Sequence, residues 1–595
     1  MRYSYNMRWD QVQGAFQDSL PEGNHSVEGS PFFASLPNLP AITEKFLHSQ
    51  EARDFSARVQ QSHPTPPPRP AHDIAVDLRV EAADAARIPV SGAVIVVANR
   101  SFGRLDEALL ATLLKRVRPD VRILSRLPRM ADLPLIEFEA LEWLGTGGML
   151  AVFPSGETPH WHFAPSPLPE PKWHSLPLNL LRKSSASALP VYICGALNLA
   201  LFASRPQRPR TASPLQKFLR QHPPAVEIRI GTEIPRVSLA SIANDHEATE
   251  YLRWRTHLLA RRSRPQKSWP LIMRSKISAR IASQVEEPLA DPKPSALIAA
   301  ELSALPADRL LVESGDFTVY LAKAADIPNT LFELGRLREL TFRGAGEGTG
   351  RSRDLDRFDR YYWHILLWNK IKQELVGAYR AGNTAEILAQ HGIKGLYTST
   401  LFRYDPAVFE KLGPALELGR SFVRPEYQRQ YAPLLLLWKA IARLLATQPQ
   451  IAVVFGPVSI SDDYSQASRE MIYRFFESRM QEDELARLIT PRKPFRPAGL
   501  RPWDCRAMCQ ALHDLEDLSE PITDLEPDGK GLPILLRQYA KIGGRLLSFN
   551  VDKKFANVLD GLVVVDLRKT DAAVLERYMG REAAAQFRRT HKIVS

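Results

Sequence analysis

The chain has 595 residues, 44% of them apolar, and a formal net charge of +12. That length exceeds what one hydrophobic core organises, so two or more domains are expected. The positive balance favours anionic partners: phospholipid surfaces, acidic carrier proteins or nucleic acid. Three cysteines, Cys194, Cys505 and Cys509, argue against a disulfide scaffold and for a reducing cytosol. Cys505 and Cys509 lack zinc-site spacing, so no metal is expected. No run of about 18 uncharged apolar residues is present to span a membrane, and the N-terminus has no apolar signal core.

Residues 1–72 are polar and proline-rich, with "HPTPPPRP" near their end, and read as a poorly ordered extension. Across 73–260, strand-like and helix-like runs alternate, which predicts an α/β domain. "GAVIVVANR", "MLAVFPSGE" and "SALPVYICGAL" read as strands, and "DEALLATLLKRV" and "DHEATEYLRWRTHLLARR" as helices. Residues 261–294 are basic and then proline-containing, as in a linker. Arg261 to Arg280 holds seven basic residues and no acid, interleaved with Trp269, Leu271, Ile272 and Met273. That stretch is either a solvated linker or a contact for an anionic membrane surface. No nucleic-acid-binding signature accompanies it, so no nucleic acid partner is expected. A second α/β region fills 295–595. "LFELGRLRELTFR" and "APLLLLWKAIARLLA" read as helices there, and "ELVGAYR" and "PALELGRSFV" as strands.

In the first region, "VVANRSFGRLD" ends an apolar strand in Asn99 and places Asp106 at the start of a helix. With "FPSGE" (Phe153, Pro154, Ser155, Gly156, Glu157) and "LPVYICGALN", it resembles the lysophospholipid (glycerolipid) acyltransferase family in its hemolysin-like branch. That resemblance implies a His–Asp centre in which the histidine deprotonates a lipid hydroxyl and the aspartate orients it. Asp106 matches the aspartate, and Arg100 falls on the histidine position. Guanidinium stays protonated and offers no lone pair, so Arg100 is no general base. It can pair with Asp106 or bind an anionic head group. The site is therefore a degenerate acyltransferase site kept for lysolipid binding or scaffolding, unless His160 or His162 rescues it.

The second region carries "RELTFRGAGEGTGRSRDLDRFDRYYWHILLW", "ELVGAYR", "LELGRSFVRPEYQRQYAPLLLLWKAIARLL" and "FGPVSISDDY" in order. This resembles the GNAT-fold N-acyltransferases of the hemolysin-like and ornithine-lipid-synthesis group and, more distantly, acyl-homoserine-lactone synthases. The resemblance implies an acyl carrier protein thioester as donor, or acyl-CoA, and an amine of an amino acid as acceptor, with no bound cofactor. It places Arg343 near the donor, matches Asp356 and Asp359 to an acidic pair, ends a strand in Arg380, and matches Glu417 and Arg420, followed by Ser421, to a central strand. The turn "PEYQRQYAP" has no glycine to cradle a coenzyme A pyrophosphate, which favours the carrier protein. "GAGEGTG" follows a helix and lacks the Gly-Lys-Ser/Thr ending of a nucleotide loop, so it reads as a flexible gate over substrate.

Strand alternation puts Glu417 and Gly419 on one face and Arg420 on the other unless a bulge intervenes, as the family leads one to expect. Glu417 is then the candidate base for the amine, and Asp356 or Asp359 pairs with the ammonium or with Arg420. The plainer alternative is a solvated acidic loop and a buried Glu–Arg ion pair. The whole predicts a cytoplasmic aminolipid-forming N-acyltransferase, peripheral on the inner membrane face. A lactone-type signal synthase and a non-catalytic lipid scaffold are the alternatives.

Overall fold

Val94–Ala98 is a strand buried at all five residues, as expected of a central parallel strand covered on both faces. In a computed structural model, which describes residues 2–7, 76–101, 104–124, 133–155, 172–195, 225–262, 286–480, 483–497, 512, 514–553, 555 and 557–593, this strand is the third of a seven-stranded sheet. The strands are β1 (Arg2–Met7), β2 (Val76–Glu81), β3 (Val94–Ala98), β4 (Val121–Leu124), β5 (Met149–Val152), β6 (Ser187–Gly195) and β7 (Ala225–Ile230), in the order β1-β2-β7-β6-β3-β5-β4. β3 runs parallel to β5 and β6, whereas β1 and β2 pair antiparallel. Helices α1 (Arg104–Lys115), α2 (Leu133–Gly145), α3 (Leu176–Lys183) and α4 (Asp245–Leu258) belong to the same unit. Leu109, Leu110 and Leu113 of α1 pack with Val94, Val96, Ala151 and Val191 in its core.

Three features of this unit differ from the sequence expectation. Residues 2–7 are not part of a structureless extension. "RYSYNM" alternates β-favouring tyrosines with polar residues and pairs with β2 from Arg2↔Glu81 to Met7↔Val76; residues 8–72 lie outside the described residues. Thr523–Gly529, assigned by sequence to the second region, belongs to the first unit. Asp524 explains why. It is fully buried, ion-paired to Arg255 at 2.9 Å and Arg87 at 3.1 Å, and accepts from the Thr232 N–H. Such a charge needs partners of this kind to stay buried. Finally, Arg262 is no solvated linker residue: it pairs with Asp84 and donates to the Ile230 carbonyl. Residues 263–285 lie outside the described residues.

The second unit is an eight-stranded sheet built from β8 (Leu310–Ser314), β9 (Phe317–Lys323), β10 (Trp363–Asn369), β11 (Glu374–Asn383), β13 (Ala415–Val423), β14 (Val453–Ile460), β16 (Arg545–Asp552) and β17 (Val558–Asp566). Its order is β16-β17-β14-β13-β11-β10-β9-β8, with β12 (Phe402–Tyr404) and β15 (Ile489–Pro491) paired separately. β13 and β14 are its parallel pair. Helix α5 (Pro328–Gly344) packs Leu334 and Leu337 against Leu366, Ala378 and Phe422. Helix α6 (Tyr431–Thr447) carries Trp438 to Tyr379 and Tyr539. α5 and α6 each bury an apolar stripe, the usual reason for a helix to lie on a sheet.

Candidate active site

In the first unit, β3 ends at Asn99, whose side chain exchanges two hydrogen bonds with the backbone of Ile193, at 2.9 and 2.6 Å. Arg100 follows, buried, with its guanidinium 4.9 Å from the Phe153 ring. It is ion-paired to Glu107 at 2.5 Å, where the sequence suggested Asp106. Asp106 turns to the backbone and accepts from the Ser101 N–H at 2.8 Å. Pro154 and Ser155 are buried at the end of β5. Gly156, Glu157, His160 and His162 lie outside the described residues.

In the second unit, β13 and β14 pair only from Ala415↔Val453 to Glu417↔Phe455, although β13 continues to Val423 and β14 to Ile460. Past Glu417 no pairing joins the two strands, although Gly456 still lies against the Leu418 carbonyl; beyond that contact their facing backbone groups have no ladder partner, and the opening between them is the cleft. On its other edge β13 carries a bulge. Arg380 pairs with Gly419 and Ala378 with Phe422, so Arg420 and Ser421 together oppose Tyr379. Arg420 takes φ +48°, a left-handed conformation that costs a non-glycine residue about 1–2 kcal/mol. The expected bulge is thus present, and it frees Arg420 from strict alternation.

The bulge gathers a buried charged network. Arg420 reaches Asp354 at 3.2 Å and Asp356 at 3.7 Å. Arg380, 1% exposed, donates to Asp356 at 2.7 Å and to Asp359 at 3.2 Å. Asp359 also receives Arg338 at 2.7 Å. Burial alone would raise Asp359, but Arg338 and Arg380 hold it well below the usual carboxylate range. Burial opposes the charge on Arg380, and Asp359 and Asp356 restore it. His364 lies opposite Arg380 in the sheet; burial and the Arg338 charge push it down to about 4, so it is neutral at pH 7. The rings of Tyr397 and Phe555 lie 4.9 and 4.4 Å from the Arg420 guanidinium.

Glu417, 1% exposed, is committed elsewhere. It accepts from the Thr398 N–H at 2.7 Å, the Tyr397 N–H at 3.2 Å and the Tyr362 hydroxyl. Burial raises its pKa. With its oxygens engaged, its role in this geometry is to hold Tyr397 and Thr398 in place. That corrects the expectation of a free base at 417.

Arg343 and Ser421 stand apart from the network. Arg343 bonds Glu339 at 2.7 Å and the Arg351 carbonyl at 2.6 Å. Glu339 also accepts from Thr349 and from the Gly350 N–H. The glycine-rich loop is therefore pinned by a buried carboxylate rather than hung as a flexible gate. Ser421 lies beside Tyr379, whose ring packs on Trp438 of α6. Sequence reasoning missed Arg338, Asp354, His364, Tyr362 and Tyr397. Arg338 had a usable signal, since it sits four residues after Leu334 and three before Thr341 on the inward stripe of α5.

The Acetyltransferase (GNAT) domain family matches residues 337–439, from α5 into α6. A glycine N(alpha)-acyltransferase of Bacteroides thetaiotaomicron is 29% identical over 299 residues, covering 47% of this chain and 86% of that protein. One of Phocaeicola vulgatus is 32% identical over 242 residues, covering 39% and 73%. A solved CoA-dependent acyl-homoserine lactone synthase, with MTA, is 12% identical and covers 46% of this chain and 98% of its own, with a TM-score of 0.21, too low to bear on the fold. The chain belongs to the family of these two N-acyltransferases, and it is an acyltransferase built on a GNAT domain.

Proposed function

We propose that the second unit joins a fatty acyl group to the amine of a glycine- or ornithine-type amino acid, in aminolipid synthesis. The observation that carries this reading is the cleft where β13 and β14 part, bordered by the Arg420 bulge and by the Arg380–Asp356–Asp359 network. Amide formation from a thioester needs a neutral amine, donors for the tetrahedral oxyanion and a slot for the chain. Unpaired backbone at the parted strands offers the donors, and Arg420 and Arg380 bring positive charge to an amino acid's carboxylate. The two glycine N(alpha)-acyltransferase relatives favour glycine as acceptor.

For the donor, the turn after β13 favours acyl carrier protein over free acyl-CoA. The N–H groups of Tyr427, Gln428 and Gln430 are used inside that turn, by Arg424, Pro425 and Tyr427 carbonyls, and Pro425 has none. Few N–H groups are left to cradle a pyrophosphate.

The first unit, in this proposal, is a degenerate lysophospholipid-acyltransferase-like domain. Arg100 tied to Glu107 and Asp106 tied to backbone leave its described residues with no base at the expected position. Residues 264–280 hold the protein to anionic lipid on the cytoplasmic face, and Arg262 takes no part. Expression in a host without aminolipids, followed by lipid mass spectrometry, tests the proposal. N-acyl amino acids are expected; their absence from a folded, expressed protein refutes it.

A further inference from the structure

Asp560 lies on β17 inside the buried apolar run "VLDGLVVV". It pairs with Ser459 of β14 on one side and Asn550 of β16 on the other, so these three side chains share one face of the sheet. Asp552, two residues after Asn550, is on that face too. So are Leu562 and Val564, which pack with Phe455, the residue opposite Glu417. Asp560 therefore stands on the Glu417 face, on the β14–β17 lip of the cleft, with Arg420 on the β13 lip.

What sets it apart is the lack of a structural task. Asp356, Asp359, Glu339 and Glu417 each hold two or more donors. Asp560 is 6% exposed and has no hydrogen-bond partner or ion pair among the described residues. A carboxyl buried in this way costs stability, and a catalytic or ligand-binding role is one physical reason for keeping it. On the same face of the sheet, on β11, Arg380 carries a second orphan: its Nη2 is buried and meets no acceptor among the described residues. A zwitterionic amino acid supplies what both lack, an ammonium donor and a carboxylate acceptor.

Resting on the N-acyltransferase reading above, we propose that Asp560 binds the ammonium group of the acceptor amino acid and takes its proton as the amine attacks the acyl thioester. The ammonium gives one proton to the Asp560 carboxylate, and the freed lone pair forms the C–N bond at the thioester carbonyl. The C–S bond breaks, and the second nitrogen proton leaves with the thiolate as thiol. Asp560 then returns its proton to solvent. Burial, then Asp552 from β16 and Glu347 from the loop after α5, push Asp560 well above the usual carboxylate range, against Arg420 from β13; Tyr397 also faces it.

The test uses the full-length protein, a palmitoyl thioester of acyl carrier protein, and two acceptors: glycine and aminooxyacetate, whose nitrogen is already neutral at pH 7. Asp560→Asn is expected to lower kcat/KM for glycine by about 10²-fold or more, to leave KM for the donor unchanged, and to keep transfer to aminooxyacetate within a few-fold of wild type. Asp560→Glu, which keeps the acid, is expected to recover part of the glycine activity. Unchanged glycine transfer in Asp560→Asn overturns the proposal. So does equal loss with both acceptors in the two variants. A wild-type protein inert toward every amine offered instead refutes the N-acyltransferase reading, and this inference falls with it.

Discussion

Both units bury arginines at or beside a sheet, and their surroundings differ. In the first unit Arg100, just past the end of β3, is ion-paired to Glu107. In the second unit Arg338, Arg380 and Arg420 share Asp354, Asp356 and Asp359, so each carboxylate or guanidinium in the set is held by its neighbours. An arginine carries charge but does not exchange protons at neutral pH. It is catalytic furniture only beside groups that do. In the second unit the arginines stand near Asp560, the proton acceptor proposed above, whereas in the first Glu107 is held by Arg100 and Asp106 by the Ser101 N–H.

The sharpest way to break the comparison is to cut the network at its centre. Arg380→Ala leaves the buried Asp359 and the half-buried Asp356 without their shared partner, and is expected to destabilise the second unit by about 3–5 kcal/mol in chemical denaturation. Arg100→Ala leaves one carboxylate, Glu107, and is expected to cost less in the same assay.

The next largest effect is a pH dependence arising in the second unit. His364 titrates at about 4 when folded, below the ordinary histidine value near 6.5. Between those values the unfolded chain binds a proton that the native chain refuses, so stability falls as pH drops from about 6.5 to 4. The full loss is about 3 kcal/mol, complete below the folded value. Asp359, held low by Arg338 and Arg380, acts later: its stabilisation is present above its unfolded value near 3.9 and is lost only as pH falls below it. Melting curves at pH 7 and pH 4.5 check this, and His364→Gln is expected to flatten the difference.

Glu417→Gln comes third. The amide nitrogen must face a donor, either Thr398 N–H or the Tyr397 N–H and Tyr362 hydroxyl pair, at a cost of about 1–3 kcal/mol. As a positioning residue it is expected to lower kcat and leave its pH profile unmoved. A profile that shifts with this substitution returns Glu417 to the role of base.

Much of this site was legible in order along the chain. Asp356, Asp359, Arg380 and Arg420 do come together, and the strand "LELGR" called for a bulge because alternation alone would have separated its charged ends. What escaped was tertiary. Arg338 and Glu339 look like a solvated helical pair until Leu334, Leu337 and Thr341 are laid on the same inward stripe. Glu417 reads as a base until the Tyr397–Thr398 backbone, twenty residues upstream, is seen to occupy it. Asp560 carried a local signal, an acid within an unbroken apolar strand, that went unread. The return of Thr523–Gly529 to the first unit had no local signal, since Asp524 finds Arg87 and Arg255 only through the fold.

The central claim is that amide synthesis belongs to the second unit's cleft and is indifferent to Asp106 of the first. Mass spectrometry of N-acyl amino acids made in an aminolipid-free host by Asp106→Asn and Arg420→Met, beside wild type, tests it most directly. The account predicts wild-type product from Asp106→Asn and a loss of at least about 10²-fold from Arg420→Met, which removes a guanidinium at the reacting centre. Loss of product in a folded Asp106→Asn protein, or near-normal product from Arg420→Met, contradicts it.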